Sequence, residues 1–156
     1  MTQVDLSELV AQIARSAQFE LQERKNAVWL TMPAQCFVWA NAELLHSAIE
    51  NVMRNAIRYT AADSSIDVRL HTQETEHPGF ISLIIRDYGC GVPDSELLHI
   101  FQPFYRVAED RSRLSGGTGL GLAIAERVVR IHGGTIRAKN AAPCGLEVEI
   151  LLLQLS

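Results

Sequence analysis

The chain has 156 residues, a formal net charge of −4, 47% apolar residues, and only two lysines, Lys25 and Lys139. That length and apolar content suffice for one domain with a real core, and the acidic balance offers no basic face for a nucleic-acid duplex. The three cysteines, Cys36, Cys90 and Cys144, form no CxxC pair, which argues against a disulfide framework or a zinc site and points to a reducing compartment. No apolar run reaches membrane-span length, and the start, VDLSELVAQIARSAQ, is amphipathic rather than a signal peptide, so a soluble chain is expected.

Leu6, Leu9, Val10, Ile13 and Ala17 recur at helical spacing and predict a first helix from about residue 4 to 24, followed by a short strand at AVWLT. Trp29 and Trp39 are expected to pack around that strand and the neck of the next helix. A second helix is predicted from an Asn41 N-cap, with Glu43 in its first turn and Leu45, Ile49, Val52 and Ala56 as its buried stripe. SIDVRLHT and FISLIIRD read as strands joined through a turn at Pro78 and Gly79. A short helix at PDSELLHIF precedes an arginine-rich stretch, a glycine cluster, and a third helix from about 118 to 132. His132 before Gly133 reads as a helix end where a cation suits the dipole. GGTIRAKN and GLEVEILLLQL close the chain as a strand pair. Helices segregated from a mainly antiparallel sheet predict an α+β two-layer sandwich.

Three stretches carry candidate chemistry. In SGGTGLGL, alternating glycines let the backbone approach a ligand, and the free N–H groups of the following helix attract an anion. A flexible turn with a helix cap is the plainer alternative. Neither GxxxxGK[ST] nor GxGxxG is completed, so any nucleotide site is of another type. In ENVMRNAIRYT, Asn51, Asn55 and Arg58 form one polar stripe with Tyr59 adjacent. An amide oxygen suits Mg²⁺, which would make Asn55 a ligand, Arg58 a phosphate contact and Tyr59 a base-stacking residue. A solvated helix face is the alternative. In IIRDYGCGVP, Asp87 ends a strand and precedes Gly89 and Gly91, a pattern common in simple Asx turns. Read functionally, a carboxylate accepts from adenine's 6-amino group and repels guanine O6, so Asp87 would select ATP over GTP. Cys90 reads as a small filler, and Arg111 and Arg113, alternating with Glu109 and Asp110, as a solvated surface.

The ordered set NVMRNAIRY, DYGCG, FQPFYR and GGTGLGL resembles the N, G1, F and G2 boxes of the sensor histidine kinase ATP-binding domain, within the gyrase, Hsp90, kinase and MutL ATPase superfamily. IFQPFYR and DRSRLSGGTGLGLAI look most like the Cpx-type envelope-stress sensors. The resemblance implies the Bergerat fold, a mixed, mainly antiparallel sheet of about five strands on three helices, with residues 1–156 as one catalytic ATP-binding domain. It implies ATP as ligand with Mg²⁺ on Asn55, while Asn51 lies one turn earlier on the same wall. Arg58 stands where relatives often carry lysine. Tyr59 matches the residue against adenine and ribose, Asp87 the adenine-reading carboxylate with Gly89 and Gly91 completing its box, and Arg106 an arginine reaching the terminal phosphate. Gly117, Thr118, Gly119, Leu120 and Gly121 match the segment that cradles the phosphates, with a lid from about Val107 to Gly116.

Sensor kinases of this kind transfer the γ-phosphoryl group to a histidine in a separate helical hairpin, and none of His46, His71, His77, His99 or His132 has that motif's context. The resemblance therefore implies the donor-side fragment of a longer, inner-membrane-anchored homodimeric kinase, itself a cytoplasmic monomer, with the histidine-bearing dimerisation domain and a response regulator as partners. Two other readings remain. One is an ATP-hydrolysing machine of the gyrase, Hsp90 or MutL branch, and the other a non-catalytic nucleotide sensor. In hydrolytic relatives a glutamate one turn before the magnesium asparagine activates water, and here that place is Asn51. Glu50 lies about 140° from Asn55 around a helix, against about 40° for Asn51.

Overall fold

The computed structural model describes residues 1–105 and 119–156. Its elements follow in the order β1 (Thr2–Asp5), α1 (Leu6–Glu20), β2 (Ala27–Thr31), β3 (Phe37–Ala40), α2 (Ala42–Tyr59), β4 (Ser65–Thr72), β5 (Phe80–Arg86), α3 (Gly121–Ile131), β6 (Thr135–Asn140) and β7 (Leu146–Leu153). Five strands form a mixed sheet in the order β2-β4-β5-β7-β6, with only β2 and β4 parallel, and β1 with β3 forms a separate two-stranded sheet. The three helices share one core with the large sheet, which is the expected α+β two-layer sandwich.

Alternation along the strands decides which face meets the helices. Ile66, Val68 and Leu70 of β4, Ile81, Leu83 and Ile85 of β5, and Val148, Ile150 and Leu152 of β7 are all buried in that core. They meet the apolar stripe of α2, where Leu45, Ile49, Val52 and Ala56 are buried as the helical spacing predicts. The intervening residues build an ionic layer on the opposite face. Glu147 sits 3.1 Å from Arg69 and 3.2 Å from Lys139, and Glu149 accepts from the Ser82 hydroxyl at 2.6 Å and pairs with Arg137. Burial alone would raise the Glu149 carboxyl, but the bonds from Ser82 and Arg137 outweigh it and hold it below the ordinary range.

Local signals place the helix starts. Asn41 caps α2 by accepting from the Leu44 N–H at 3.0 Å. Asp5 caps α1 through Oδ1, which accepts from Ser7 N–H and also from Cys36 N–H at 3.2 Å, tying the helix to the approach to β3. The predicted first helix was too long at both ends. Residues 2–5 pair with β3, a partner more than thirty residues away, and Leu21 begins a single 3₁₀ turn that ends with Lys25 at a positive φ of 57°. PDSELLHIF holds only a 3₁₀ turn at Asp94–Glu96: Ile100 is buried in the core with Leu97 and Phe101 packed against it, while Leu98 is 88% exposed. The third helix starts at Gly121 rather than 118, a position outside the described residues.

Trp29 and Trp39 do not pack as expected: they are 65% and 56% exposed, on β2 and β3. His132 does end α3, as its C-cap, and its ring is committed there: Nδ1 donates to the Val128 carbonyl and Nε2 accepts from the Asn41 N–H at 3.1 Å, which joins the end of α3 to the start of α2. No helix among the described residues is long and apolar enough to cross a membrane.

Burial sets the order of mutational costs. Truncating Leu83, which is 1% exposed in the central strand, is expected to cost about 2–5 kcal/mol. Trp29→Ser should fall within about 0.5 kcal/mol of the parent despite removing a larger side chain. Urea denaturation of both variants checks this order, and a larger loss at Trp29 would contradict the exposed placement.

Candidate functional site

The polar face of α2 carries Asn51, Asn55 and Arg58, with Tyr59 as the last helical residue. Asn51 and Asn55 are half-buried, Arg58 is exposed, and neither asparagine amide bonds another described residue. Mid-helix asparagines cost roughly 0.5 kcal/mol each in propensity against alanine, and here no described side-chain bond offsets that cost. Glu50 points elsewhere: its carboxylate lies 3.5 Å from His46 on the exposed side of the helix.

Asp87 follows β5 and is 2% exposed. Its Oδ1 accepts from Gly89 N–H at 2.9 Å, which closes an Asx turn, and from Leu146 N–H at 3.2 Å at the start of β7. The Asp87 N–H in turn donates to the Leu146 carbonyl. Among the described residues, every hydrogen bond to this carboxylate falls on Oδ1, which leaves Oδ2 as an acceptor without a described partner. Burial pushes the carboxyl above its ordinary value, partly offset by the two accepted N–H bonds and by the neighbouring Arg86 charge. The plainer alternative and the functional one are therefore compatible: one oxygen makes the turn and the other is left over.

The turn is pressed against α2. A Cβ at Gly89 would lie 2.1 Å from the Tyr59 carbonyl oxygen, so only glycine permits this approach. Gly91 lies against the Asn140 side chain, which accepts from Val92 N–H and donates to the Val92 carbonyl and Asp94. Gly119, at a φ of 78°, receives the Phe104 N–H on its carbonyl and packs on the Phe104 backbone. Leu120 is the N-cap of α3 and offers no side-chain cap bond, so the amides of that first turn are not claimed by a capping side chain. Gly121 opens the helix beside Asn51, whose Oδ1 would lie 3.3 Å from a Cβ added there.

The described site residues thus fall into two linked groups. Tyr59, Asp87 and Gly89 meet at the end of α2, with Gly91 continuing the turn, and Asn51 meets Gly121 at the start of α3. Arg106, Gly117 and Thr118, with the lid expected from Val107 to Gly116, lie outside the described residues. Four neighbours were not singled out from the sequence: Thr60, Asn140, Gly145 and Leu146. A signal existed for Gly145, which follows Pro143 and Cys144 in a hairpin turn and has a φ of 98°. Leu146 acts through its backbone, which no residue type announces.

With this geometry in hand, the comparisons are concordant. The sequence profile described as histidine kinase-, DNA gyrase B-, and HSP90-like ATPase matches residues 40–156. The chain is 34% identical over 137 residues to the sensor histidine kinase RppB of Synechocystis, covering 88% of this chain and 28% of RppB. It is 33% identical over 150 residues to the sensor histidine kinase CpxA of Escherichia coli K12, covering 96% of this chain and 32% of CpxA. A solved structure of the mycobacterial sensor histidine kinase MprB superposes with a TM-score of 0.86 at 30% identity, covering 97% of each chain. The catalytic domain of the histidine kinase ThkA shares the fold, with a TM-score of 0.84 at 20% identity and coverage of 98% and 97%. An α+β sandwich with these boxes on one helix, one strand end and one glycine-led helix start defines an ATPase-type catalytic domain. The chain belongs to the histidine kinase-, DNA gyrase B- and HSP90-like ATPase family, on the side of the sensor histidine kinases. It spans about a third or less of the length of the curated relatives named above.

The buried carboxylate gives a stability test with a definite sign. A carboxyl whose folded value lies above its unfolded value favours the fold below the unfolded value, and that contribution is lost as pH rises through the folded value. Ionising Asp87 in the folded chain therefore costs stability. Asp87→Asn keeps an Oδ1 for both N–H groups, so its melting temperature at pH 7 should equal or exceed the parent's. The difference should shrink as pH falls into the carboxylate range. Melting curves across pH check this, and a variant markedly less stable at pH 7 would show that the charge itself holds the turn.

Proposed function

We propose that this domain binds Mg-ATP between the polar face of α2, the Asp87 turn and the start of α3, and donates its γ-phosphoryl group to a histidine on another part of a longer sensor kinase. The observation that carries the reading is Asp87: a buried carboxylate with one oxygen fixed by two backbone N–H groups and the other without a described partner, next to Tyr59. In this reading Oδ2 accepts from adenine's 6-amino group and would repel guanine O6. Tyr59 lies along the ring, Arg58 meets phosphate charge, and the uncapped amides at Leu120 and Gly121 receive a phosphate oxygen. Arg106, Gly117 and Thr118 are assigned phosphate contacts from the motif match alone.

The residues fit a magnesium ion. Asn55 offers an amide oxygen with no described competitor, and Asn51 stands one turn away beside Gly121; a hard cation that keeps most of its waters needs one or two such ligands. When bound, the metal neutralises and orients the phosphates. Phosphoryl transfer is then mainly positioning: the bond between the γ-phosphorus and the β–γ bridging oxygen breaks, ADP leaves, and a bond forms to an imidazole nitrogen of the acceptor. The parent's homodimeric state, membrane anchor and response regulator belong to this same proposal.

The hydrolytic alternative needs a carboxylate beside the metal ligand to activate water. Asn51 holds the position one turn away, and Glu50 is turned toward His46. The isolated chain is therefore expected to bind Mg-ATP by calorimetry, to release phosphate very slowly, and not to label itself from γ-labelled ATP. Adding the parent's histidine hairpin should give acid-labile label on that hairpin, and Asn55→Ala should abolish it. Rapid phosphate release without the hairpin would instead favour an ATPase machine, and ATP binding with no transfer to the hairpin would favour a sensing module. In the same calorimeter Asp87→Asn should weaken ATP at least about tenfold, and an unchanged affinity in the folded variant would remove Asp87 from adenine recognition.

A further inference from the structure

Thr60 ends α2 and is 4% exposed. Its N–H makes the last helical bond, to Ala56 O at 2.9 Å, and its backbone then turns to extended angles. The Thr60 carbonyl accepts from Arg24, whose guanidinium also bonds the Ile57 carbonyl, so the chain is held firmly where the helix stops. The hydroxyl is committed on both sides. It accepts from the Tyr88 N–H at 3.1 Å and donates to the Ser65 carbonyl at 3.1 Å, with Ser64 Oγ 3.0 Å away.

Tyr88 N–H is the middle amide of the Asx turn that Asp87 and Gly89 close. The turn carrying Asp87 therefore meets the helix carrying Asn51, Asn55 and Tyr59 at two points. Gly89 over the Tyr59 carbonyl sets how close they come, through packing alone. The Thr60–Tyr88 hydrogen bond is directional, and it fixes how the turn is rotated about that contact. Tyr88 reaches a second anchor on β4, with its phenol donating to Asp67 at 2.5 Å and its ring under the Arg86 guanidinium. Among the hydrogen bonds between described residues, the one from Tyr88 N–H to Thr60 grips the turn's backbone from the helix side.

Resting on the nucleotide reading above, we infer that Thr60 is the positioning residue for base selection: it sets the direction of the Asp87 carboxylate relative to α2 without touching the nucleotide. A buried hydroxyl with donor and acceptor roles both spent inside the protein has nothing left for a ligand. Removing it orphans the Tyr88 amide and frees the turn to rotate, while the α2 groups that face phosphate stay where they are. The consequence is selective. Contacts common to ATP and GTP persist, and the extra affinity for adenine fades.

The test compares Mg-ATP and Mg-GTP binding by calorimetry to the parent chain, Thr60→Val and Thr60→Ser, with melting curves for each. The valine variant keeps the shape and loses the hydroxyl. It should weaken ATP by about tenfold or more while leaving GTP little changed, so that the ATP-to-GTP preference falls by the same factor. Serine, which keeps the hydroxyl, should restore most of that preference. A purely structural role would lower the melting temperature and leave the preference intact, and that result overturns the inference while the nucleotide reading stands. A parent chain with no preference for ATP overturns both.

Hydrogen exchange of the Tyr88 amide in the unaltered chain tests the bond itself, whether or not the valine variant folds. The amide should exchange as slowly as the ladder amides of β5 although it lies in a turn. Exchange at the rate of an open loop would overturn the inference.

Discussion

The carboxylate of Asp87 is the constraint around which one end of this molecule is arranged. A carboxylate this deeply buried is expensive unless hydrogen bonds replace its water. Here two backbone N–H groups do so, both on the same oxygen, one from its own turn and one from β7. To reach that oxygen, β7 must begin beside the end of β5, which Gly145 permits by letting the backbone pass where a Cβ would lie 2.0 Å from the Asp87 carbonyl oxygen. The turn must also lie flat on the last residue of α2, which Gly89 permits. The glycines around Asp87 are thus the steric conditions for fixing one oxygen of the carboxylate on backbone N–H groups while the other has no described partner.

The remainder of the fold makes that end rigid. Apolar alternation on β4, β5 and β7 places the helices on one face of the sheet, and the ionic layer on the other face keeps charged side chains over the same strands. Glu147 and Glu149 are nearly buried under the arms of Arg69, Arg137 and Lys139. Long basic side chains cover apolar strand surface with their stems while their heads stay wet. The β5 strand end that delivers Asp87 is therefore supported on both faces.

What the sequence made legible follows from how local each signal is. The α2 stripe, its Asn41 cap, and the two hairpins rest on periodicity and turn chemistry within a dozen residues, and they were readable. The strands β1 and β3 were not, because each is four residues long and forms by long-range pairing, β1 with β3 across the intervening helix and strand and β3 also with the chain's end through Val38 and Gln154. Size does not decide burial for the tryptophans, since alternation on β2 and β3 puts both rings outward. At the site, the motif residues on α2 and in the Asp87 turn could be named from spacing. The tethers could not: Thr60, Asn140 and Leu146 are ordinary residues whose parts in the site depend on tertiary approach, and only the folded chain brings them to the turn.

The placement of acidic groups on α2 bears on what such a domain does with a nucleotide it holds. A phosphoanhydride next to a metal persists if no group nearby can take a proton from water, since attack by neutral water is slow without a base. On the polar face of α2 the groups are amides and a guanidinium, none of which is a base at neutral pH. The carboxylate next in sequence, Glu50, is rotated away and occupied with His46. Asp87 is a carboxylate, but its bonds commit it to the turn at the far end of the helix from Asn51. On the proposed reading, a site with recognition and charge neutralisation but no base placed among its described residues keeps its ATP until a better nucleophile than water is delivered. An imidazole needs no base to expose its lone pair. On that reading, the absence of a base among the described residues suits the domain to be a donor, and the timing of transfer passes to whatever brings the histidine.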